Sequence, residues 1–180
     1  MKKIPILWVI LFLVGLLGMS CSPNRSSIFG RWTFRPEKST DLVTWRYRTP
    51  EIVIRKEQQG LSIVWHWMRR KKIAFTDSVE LVPNGTPVHV PVTSPIWPEN
   101  WYMGVLSKLN TQRTFSGRWL KPEKRLTVQK EQRVTISQGE TTITTRYTYD
   151  VSNRGNTLTI TEKRSSRPTP ITYVFVREAK

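Results

Sequence analysis

The sequence predicts an all-β domain in which an antiparallel meander of about eight to ten strands closes into a barrel. Apolar and polar residues alternate in the segment 141–151, where Ile143 and Tyr147 occupy odd positions and Arg146 an even one. A two-residue period is typical of a half-buried strand, since successive side chains point to opposite faces of a sheet. Short loops with glycine or asparagine separate this segment from similar ones, and that spacing indicates a meander.

The other predicted strands follow one another along the chain. Gly60 separates the segment 52–55 from the segment 61–67, in which the apolar residues fall on odd positions, so these two segments predict a hairpin. The remaining predicted strands are 30–34, 72–76, 87–92, 113–120, 125–136, 156–163 and 171–177.

The stretch 91–111 interrupts this rhythm. Three prolines within it exclude a central strand, because proline cannot donate a ladder hydrogen bond. Residues 100–110 could form a short helix, since Trp101, Val105 and Leu109 are spaced four apart and would share one face. The alternative is a long surface loop with its aromatic residues turned inward. In a barrel such a loop could cover the mouth.

The first twenty residues are typical of a secretory signal peptide. Two lysines at positions 2 and 3 precede an apolar run at 4–17, and small residues follow at Gly18 and Ser20. This order of charged, apolar and small residues characterises export signals. The apolar run is shorter than the roughly 20 residues that a helix needs to cross a bilayer, so a cleaved signal is preferred to a permanent span.

Cys21 directly follows this segment and is the only cysteine, so a disulfide within the chain is excluded. Its position resembles the acylated cysteine of bacterial lipoproteins, although Leu17 stands one residue out of their usual frame and an ordinary signal peptidase could also cleave here. The sequence therefore predicts a signal peptide at 1–20, a lipidated N-terminus and tether at 21–28, and a barrel domain at 29–180.

These features predict a lipoprotein of the cell envelope, held to a membrane by acyl chains such as palmitate on Cys21. Lipoproteins retained in the inner membrane often carry aspartate after the cysteine, whereas this chain has Ser22. The outer membrane is therefore favoured over the inner membrane.

The chain is strongly basic. Its formal net charge is +16, and loss of Lys2 and Lys3 with the signal would leave +14. A charge of this size attracts anionic surfaces. The basic residues are dispersed, and only Arg69–Lys72 forms a compact cluster. Two interpretations follow, a solvated basic surface or a surface drawn to an anionic lipid face. Nucleic acid is not expected as a partner, because an exported protein rarely meets it.

No pattern in the sequence indicates catalysis. His66 and His89 lack metal-ligating neighbours at the usual spacing, so no metal site is predicted. Nucleophile elbows, phosphate loops and dinucleotide fingerprints are missing, and the acidic residues show no pairing directed at one cavity. We therefore expect no catalytic residues, no cofactor and no enzymatic activity.

Several aromatic residues fall on positions that the alternation turns inward. They have two interpretations. They fill the core, since large rings bury much apolar area, or they line a cavity for an acyl chain or another apolar ligand, for which an eight-stranded barrel is just wide enough. The candidate lining residues are Trp65, Trp67, Trp119, Tyr147 and Tyr149.

Four short motifs carry a resemblance to a known family. The motif Gly30-Arg31-Trp32 resembles the opening of lipocalins. Together with Pro36-Glu37-Lys38-Ser39, Gly117-Arg118-Trp119-Leu120 and the segment 151–159, it is similar to small exported bacterial lipocalin-like proteins of undefined activity.

The resemblance implies a lipocalin-like barrel in which Trp32 closes the base and Arg177 packs across it. Two functional hypotheses follow. In the first, the barrel is a binding module for an apolar or amphiphilic small molecule at the envelope. In the second, the core is filled and the protein is structural, with a basic exterior that docks on anionic lipid or on a partner protein.

Overall fold

The structure is a computed structural model that describes residues 26–42, 49–96, 105–152 and 154–178. These residues contain eleven β-strands, one three-residue 3-10 turn and no α-helix. The strands are β1 (Gly30–Phe34), β2 (Thr49–Lys56), β3 (Leu61–Arg69), β4 (Lys72–Leu81), β5 (Val88–Pro91), β6 (Leu106–Ser107), β7 (Gln112–Lys121), β8 (Arg125–Ile136), β9 (Gly139–Val151), β10 (Thr157–Arg164) and β11 (Arg167–Arg177). The predicted all-β fold class is confirmed.

Ten of the strands form one antiparallel sheet that is nearly closed into a barrel. Their order is β4-β3-β2-β1-β11-β10-β9-β8-β7-β5, and β6 pairs with the end of β8. The sheet therefore has a seam where β4 faces β5 and β7 without a ladder between them. At one end of the seam, Asn84 and Arg118 form an isolated bridge, and the amide of Gly85 donates to the carbonyl of Gly117 at 2.7 Å.

The barrel has two ends, which we call the base and the mouth. The base holds the start of β1 and the turn between β2 and β3, and the mouth holds the turn between β3 and β4. Because β2 and β3 are paired residue for residue from Thr49–Met68 to Lys56–Leu61, the hydrophobic alternation of both strands faces the same core.

One main hydrophobic core fills most of the interior of the barrel, and a smaller separate cluster forms around Val134 and Ile143 near the mouth. In β10, Leu158 and Ile160 are fully buried while Thr159 between them is only partly buried. Ile28, which the sequence assigned to the tether, is also fully buried, and its amide donates to the carbonyl of Glu123 at 2.7 Å. The other fully buried large side chains are Trp32, Tyr149, Tyr173, Phe175, Ile52, Ile54, Leu61, Ile63 and Leu126.

The two-residue turn between β3 and β4 is unusual in its residues. Arg70 has a φ of 49° and Lys71 a φ of 63°, and positive φ at both central residues is what a type I′ hairpin turn requires. Asparagine and glycine adopt this conformation readily, whereas other L-residues lose about 1–2 kcal/mol each in the left-handed region. The turn therefore holds two long basic side chains in a conformation that their backbones disfavour.

The proline-rich stretch 91–111 is described only in part, because residues 97–104 lie outside the described residues. Pro91 ends β5, an edge strand, where a missing amide donor is tolerated. Residues 106–107 form β6 and residues 109–110 a turn. The described part of this stretch is thus extended or turned, and the helix considered over 100–110 does not continue into it.

Candidate functional site

The base of the barrel is closed by a contact between the first and last strands. The guanidinium of Arg177 lies over the ring of Trp32, with its central carbon 4.2 Å from the ring centroid. Its nitrogens donate to the carbonyls of Ser27, Phe29 and Gly155 at 2.6–2.7 Å. Partial burial lowers the pKa of Arg177, but the three hydrogen bonds and the ring face satisfy the charge.

Gly30 leaves the space that this contact needs. It has a φ of 142°, and a Cβ built there would lie 2.5 Å from a terminal nitrogen of Arg177. Any side chain at position 30 would therefore collide with the guanidinium. The motif Gly30-x-Trp32 has a physical basis, since the glycine admits the arginine and the tryptophan provides the ring on which it lies.

Four of the five candidate ligand-lining residues meet in the middle of the barrel. Trp65 stacks on Trp67 with 5.8 Å between ring centroids, and its ring is tilted against that of Tyr147 with 6.1 Å between centroids. Tyr149 accepts a long hydrogen bond of 3.4 Å from the indole of Trp65. Trp119 lies elsewhere, against Phe29 near the base. We call the space among these four residues the aromatic chamber.

The aromatic chamber is small. Its volume is about 30 Å³, which is room for about one or two water molecules. An engineered cavity that binds benzene is roughly five times larger. In this conformation the rings therefore act mainly as packed core residues, and an acyl chain does not fit between them.

Charged residues also line the aromatic chamber. Glu162 is 1% exposed and Lys130 is 3% exposed, and the hydroxyl of Tyr173 donates to Glu162 at 2.5 Å. Glu162 also pairs with Arg164 on the same strand, with 2.6 Å between the charged atoms. Burial of an ionised group is strongly unfavourable unless the group is paired and hydrogen-bonded in this way. The mouth half of the interior therefore contains buried charged groups beside its apolar residues.

The expectation that no carboxylates meet at one cavity is wrong. Asp77 and Glu162 both line the aromatic chamber, and each is paired with an arginine. The alternation contained a signal for Glu162, because it shares the inward parity of Leu158 and Ile160 in β10. No equally clear signal existed for Asp77, whose strand β4 is exposed along its first half.

A second and larger pocket opens at the seam, next to the aromatic chamber. We call it the wall pocket. Its volume is about 290 Å³, and it shares Asp77 and Ser78 with the chamber. It is lined by Phe75, Thr76, Asp77, Ser78, Val90, Pro91, Val92, Thr93, Ser94, Ile96, Ser107, Arg113 and Gln132. The pocket exists because β4 and β7 are not joined by a ladder at this level.

Buried polar groups form the inner side of the wall pocket. Asp77 and Arg113 make an ion pair of 2.5 Å across the seam, and each side chain is 14% exposed. Gln132 is 3% exposed, and its amide nitrogen donates to the hydroxyl of Ser107 at 2.6 Å. Within the described ranges, Gln132 Oε1 and Arg113 Nε have no hydrogen-bond partner. Neither the spacing nor the alternation in the sequence indicates this group of residues.

The compact basic cluster lies at the mouth, at the end of the β3–β4 hairpin. Arg69, Arg70, Lys71 and Lys72 are all exposed, and none of the ion pairs among the described residues involves them. Ile73, the next residue, is 57% exposed. We call residues 69–73 the basic tip.

The two histidines lie on the outer surface. A ring nitrogen of His66 is 3.1 Å from the hydroxyl of Thr76, and one of His89 is 3.2 Å from that of Thr114. In the described part of the chain, no three His, Cys, Asp or Glu side chains are grouped as metal ligands. That part also contains no helix that is long and apolar enough to cross a membrane.

Cys21 and the predicted signal peptide lie outside the described residues. A scan of protein-family models finds none that matches this chain, and a search of curated proteins finds no similar sequence.

Proposed function

We propose that this chain is a lipid-anchored protein of the bacterial cell envelope whose barrel binds a small amphiphilic molecule at the wall pocket. One observation carries the proposal, namely that two residues lining an open pocket, Gln132 and Arg113, each have a buried polar atom without a hydrogen-bond partner in the described part of the chain. Leaving such an atom unpaired costs about 1–3 kcal/mol. Among the described residues, Gln132 Oε1 and Arg113 Nε are in this state. A ligand that donates to the first and accepts from the second would offset that cost.

The lining of the wall pocket favours a particular class of ligand. Its inner side offers an acceptor on Gln132 and a donor on Arg113, whose charge is already matched by Asp77. A neutral group that both donates and accepts, such as the hydroxyls of a glycerol or sugar head, suits this arrangement better than a free anion. Phe75 and Ile96 line other parts of the pocket and provide an apolar surface. The volume is at the lower end for ligand pockets, which favours a small molecule.

The aromatic chamber leaves little room for a ligand inside the barrel. It has room for water-sized groups only, so the acyl part of an amphiphile would lie in the wall pocket or outside it. This modifies the binding hypothesis, in which Trp65 and Trp67 enclose an apolar chain. Their rings instead lie behind the pocket, where Trp67 is the cross-strand neighbour of Phe75.

The envelope part of the proposal rests on the sequence. The basic start, the apolar run at 4–17 and the single Cys21 together support export and acylation. Two or more acyl chains on one residue would hold the protein firmly at a membrane, whereas a single chain would not. A barrel that accepts an amphiphile would then work next to the membrane from which such molecules come.

A fluorescence titration tests the binding proposal. We expect monooctanoylglycerol to change tryptophan emission saturably, because Trp67 lies beside the pocket. Gln132→Leu removes the buried acceptor and should weaken this binding about 10-fold, the change that corresponds to one neutral hydrogen bond. Gln129→Leu is the matched control. It is the same substitution on the same strand, at a position that faces outward, and it should leave binding unchanged.

The titration is repeated in about 0.5 M salt, which screens attraction to the basic surface. Native mass spectrometry of the protein gently extracted from its producing cell adds an independent measure, since a carried ligand appears as additional mass. Absence of both saturable binding and added mass would favour the hypothesis of a filled core and a structural role.

A further inference from the structure

We infer that the basic tip, residues 69–73, is a docking site for an anionic phospholipid surface. Four consecutive basic side chains and one apolar side chain are exposed together at the end of the β3–β4 hairpin. This inference goes beyond ligand binding in the barrel and holds whether or not the wall pocket is occupied.

The conformation of the turn separates this cluster from an ordinary solvated basic surface. Arg70 and Lys71 both have positive φ, at 49° and 63°, in a turn that asparagine and glycine form with less strain. Residues held in a disfavoured backbone region concentrate at functional sites. Here the turn carries basic side chains where the fold alone would select small ones.

Among the described residues, no acidic side chain forms an ion pair with the basic tip. The described ion pairs of this protein lie elsewhere, for example Arg31 with Glu178 and Lys108 with Glu140. The charges at the tip therefore act outward. Each basic residue near an anionic membrane surface contributes roughly 1 kcal/mol of attraction, over about one Debye length.

Ile73 favours phospholipid over other anionic partners. It is 57% exposed and follows directly after the four basic residues. Basic side chains that contact headgroups, next to an apolar side chain that enters the interface, are the combination by which peripheral segments bind membranes. A soluble polyanion would use the charges and leave the exposed isoleucine without a role.

If Cys21 is the membrane anchor, as in the proposed function, the position of the basic tip also determines how the barrel is oriented on the membrane. The described chain begins at Ser26 at the base, and Arg70, the residue after β3, is seven residue steps from Ile63 near the base, roughly 23 Å. The five residues from Cys21 to Ser26 span at most about 17 Å. The tip reaches the anchoring leaflet when the barrel lies along the membrane, and not when it stands on its base.

The test uses the full chain reconstituted into vesicles. Ile73→Cys, labelled with a polarity-sensitive dye, reports contact with the bilayer through quenching by spin-labelled lipids. The chain without this substitution, treated with the same dye, measures any label that Cys21 takes up. We expect quenching in phosphatidylcholine vesicles that contain about one-third phosphatidylglycerol, little quenching in pure phosphatidylcholine, and loss of quenching in about 0.5 M salt.

The decisive variant removes charge without removing the turn. Arg70→Asn with Lys71→Gly produces the sequence that type I′ turns prefer, so the hairpin should be at least as stable as before. The ratio of docked to undocked tip should fall about 30-fold, which corresponds to two lost contacts of about 1 kcal/mol each. The matched control, Lys121→Gln with Arg154→Gln, removes two exposed charges at the base and should leave quenching unchanged.

Three outcomes would overturn the inference. One is equal quenching in neutral and anionic vesicles. Another is an unchanged signal in the variant that combines Arg70→Asn and Lys71→Gly. The last is an equal loss in the control at the base, which would show that net charge, and not the basic tip, attracts the membrane.

Discussion

The guanidinium of Arg177 on β11 lies 4.2 Å over the ring of Trp32 on β1. These residues are direct partners in the register of the two strands, so the contact joins the first and last strands of the barrel. Trp32→Ala should destabilise the protein by about 3–5 kcal/mol, the usual loss for a buried large aromatic residue. Arg177→Ala should cost about 1–2 kcal/mol. In urea unfolding, the double variant should fall short of the sum, and strict additivity would contradict a coupled pair.

Substitution of Gly30 should disturb the same contact indirectly. In Gly30→Ala, the new methyl group would overlap the guanidinium of Arg177 and the backbone would be strained at a φ of 142°. We expect a loss of about 1–3 kcal/mol. Gly139→Ala serves as the control, because it also has positive φ but its Cβ would meet no atom within 4 Å. A larger loss at Gly139 than at Gly30 would show that backbone strain alone sets the effect.

The ion pair across the seam should stabilise the barrel wall. Arg113→Ala would leave Asp77 buried and uncompensated, so we expect a loss of about 3 kcal/mol in the free energy of unfolding. Arg31→Ala breaks the pair with Glu178, in which both side chains are about half exposed, and should cost less than 1 kcal/mol. Equal effects in chemical denaturation would contradict the burial that the structure gives to the seam pair.

The rings of the aromatic chamber should contribute to stability more than to binding. Trp65 contacts Trp67, Tyr147, Tyr173 and Phe175, so Trp65→Ala should lower the free energy of unfolding by about 3–5 kcal/mol. A fold that tolerates this substitution, together with weaker binding of an apolar probe, would instead support an open ligand cavity. Thermal unfolding and fluorescence titration of the same variant distinguish the two outcomes.

Anchoring is tested by fractionation of cells. If Cys21 is acylated, Cys21→Ala should move the protein from the membrane to the soluble periplasmic or extracellular fraction. Ser22→Ala, next to it, should leave the protein in the membrane fraction. Retention of the Cys21→Ala protein in membranes at high salt would indicate that the apolar run at 4–17 stays in place as an uncleaved helix.

Individual strands were predictable because the alternation that identifies a strand lies within its own residues. In β9, Ile143, Tyr147 and Tyr149 are buried while Arg146 is exposed, as the two-residue period requires. The extent of β4 was less predictable. Its predicted end at residue 76 falls short of the observed end at Leu81, because the second half contains Asp77 and Glu80, residue types that strands rarely contain, although its burial alternates. The β3–β4 turn also lacks the asparagine or glycine by which such turns are recognised.

By itself, the sequence determined the all-β class, the order of most strands and the inward parity of Trp65, Trp67, Tyr147 and Tyr149. Only the tertiary structure decided which inward residues meet. Trp119 also falls on an inward position, but it lies near the base and not with the other four. Asp77 and Arg113 are 36 positions apart in the sequence and form an ion pair across the seam. The reason is that alternation fixes the face of a side chain, while its neighbours across a barrel depend on register, closure and packing volume.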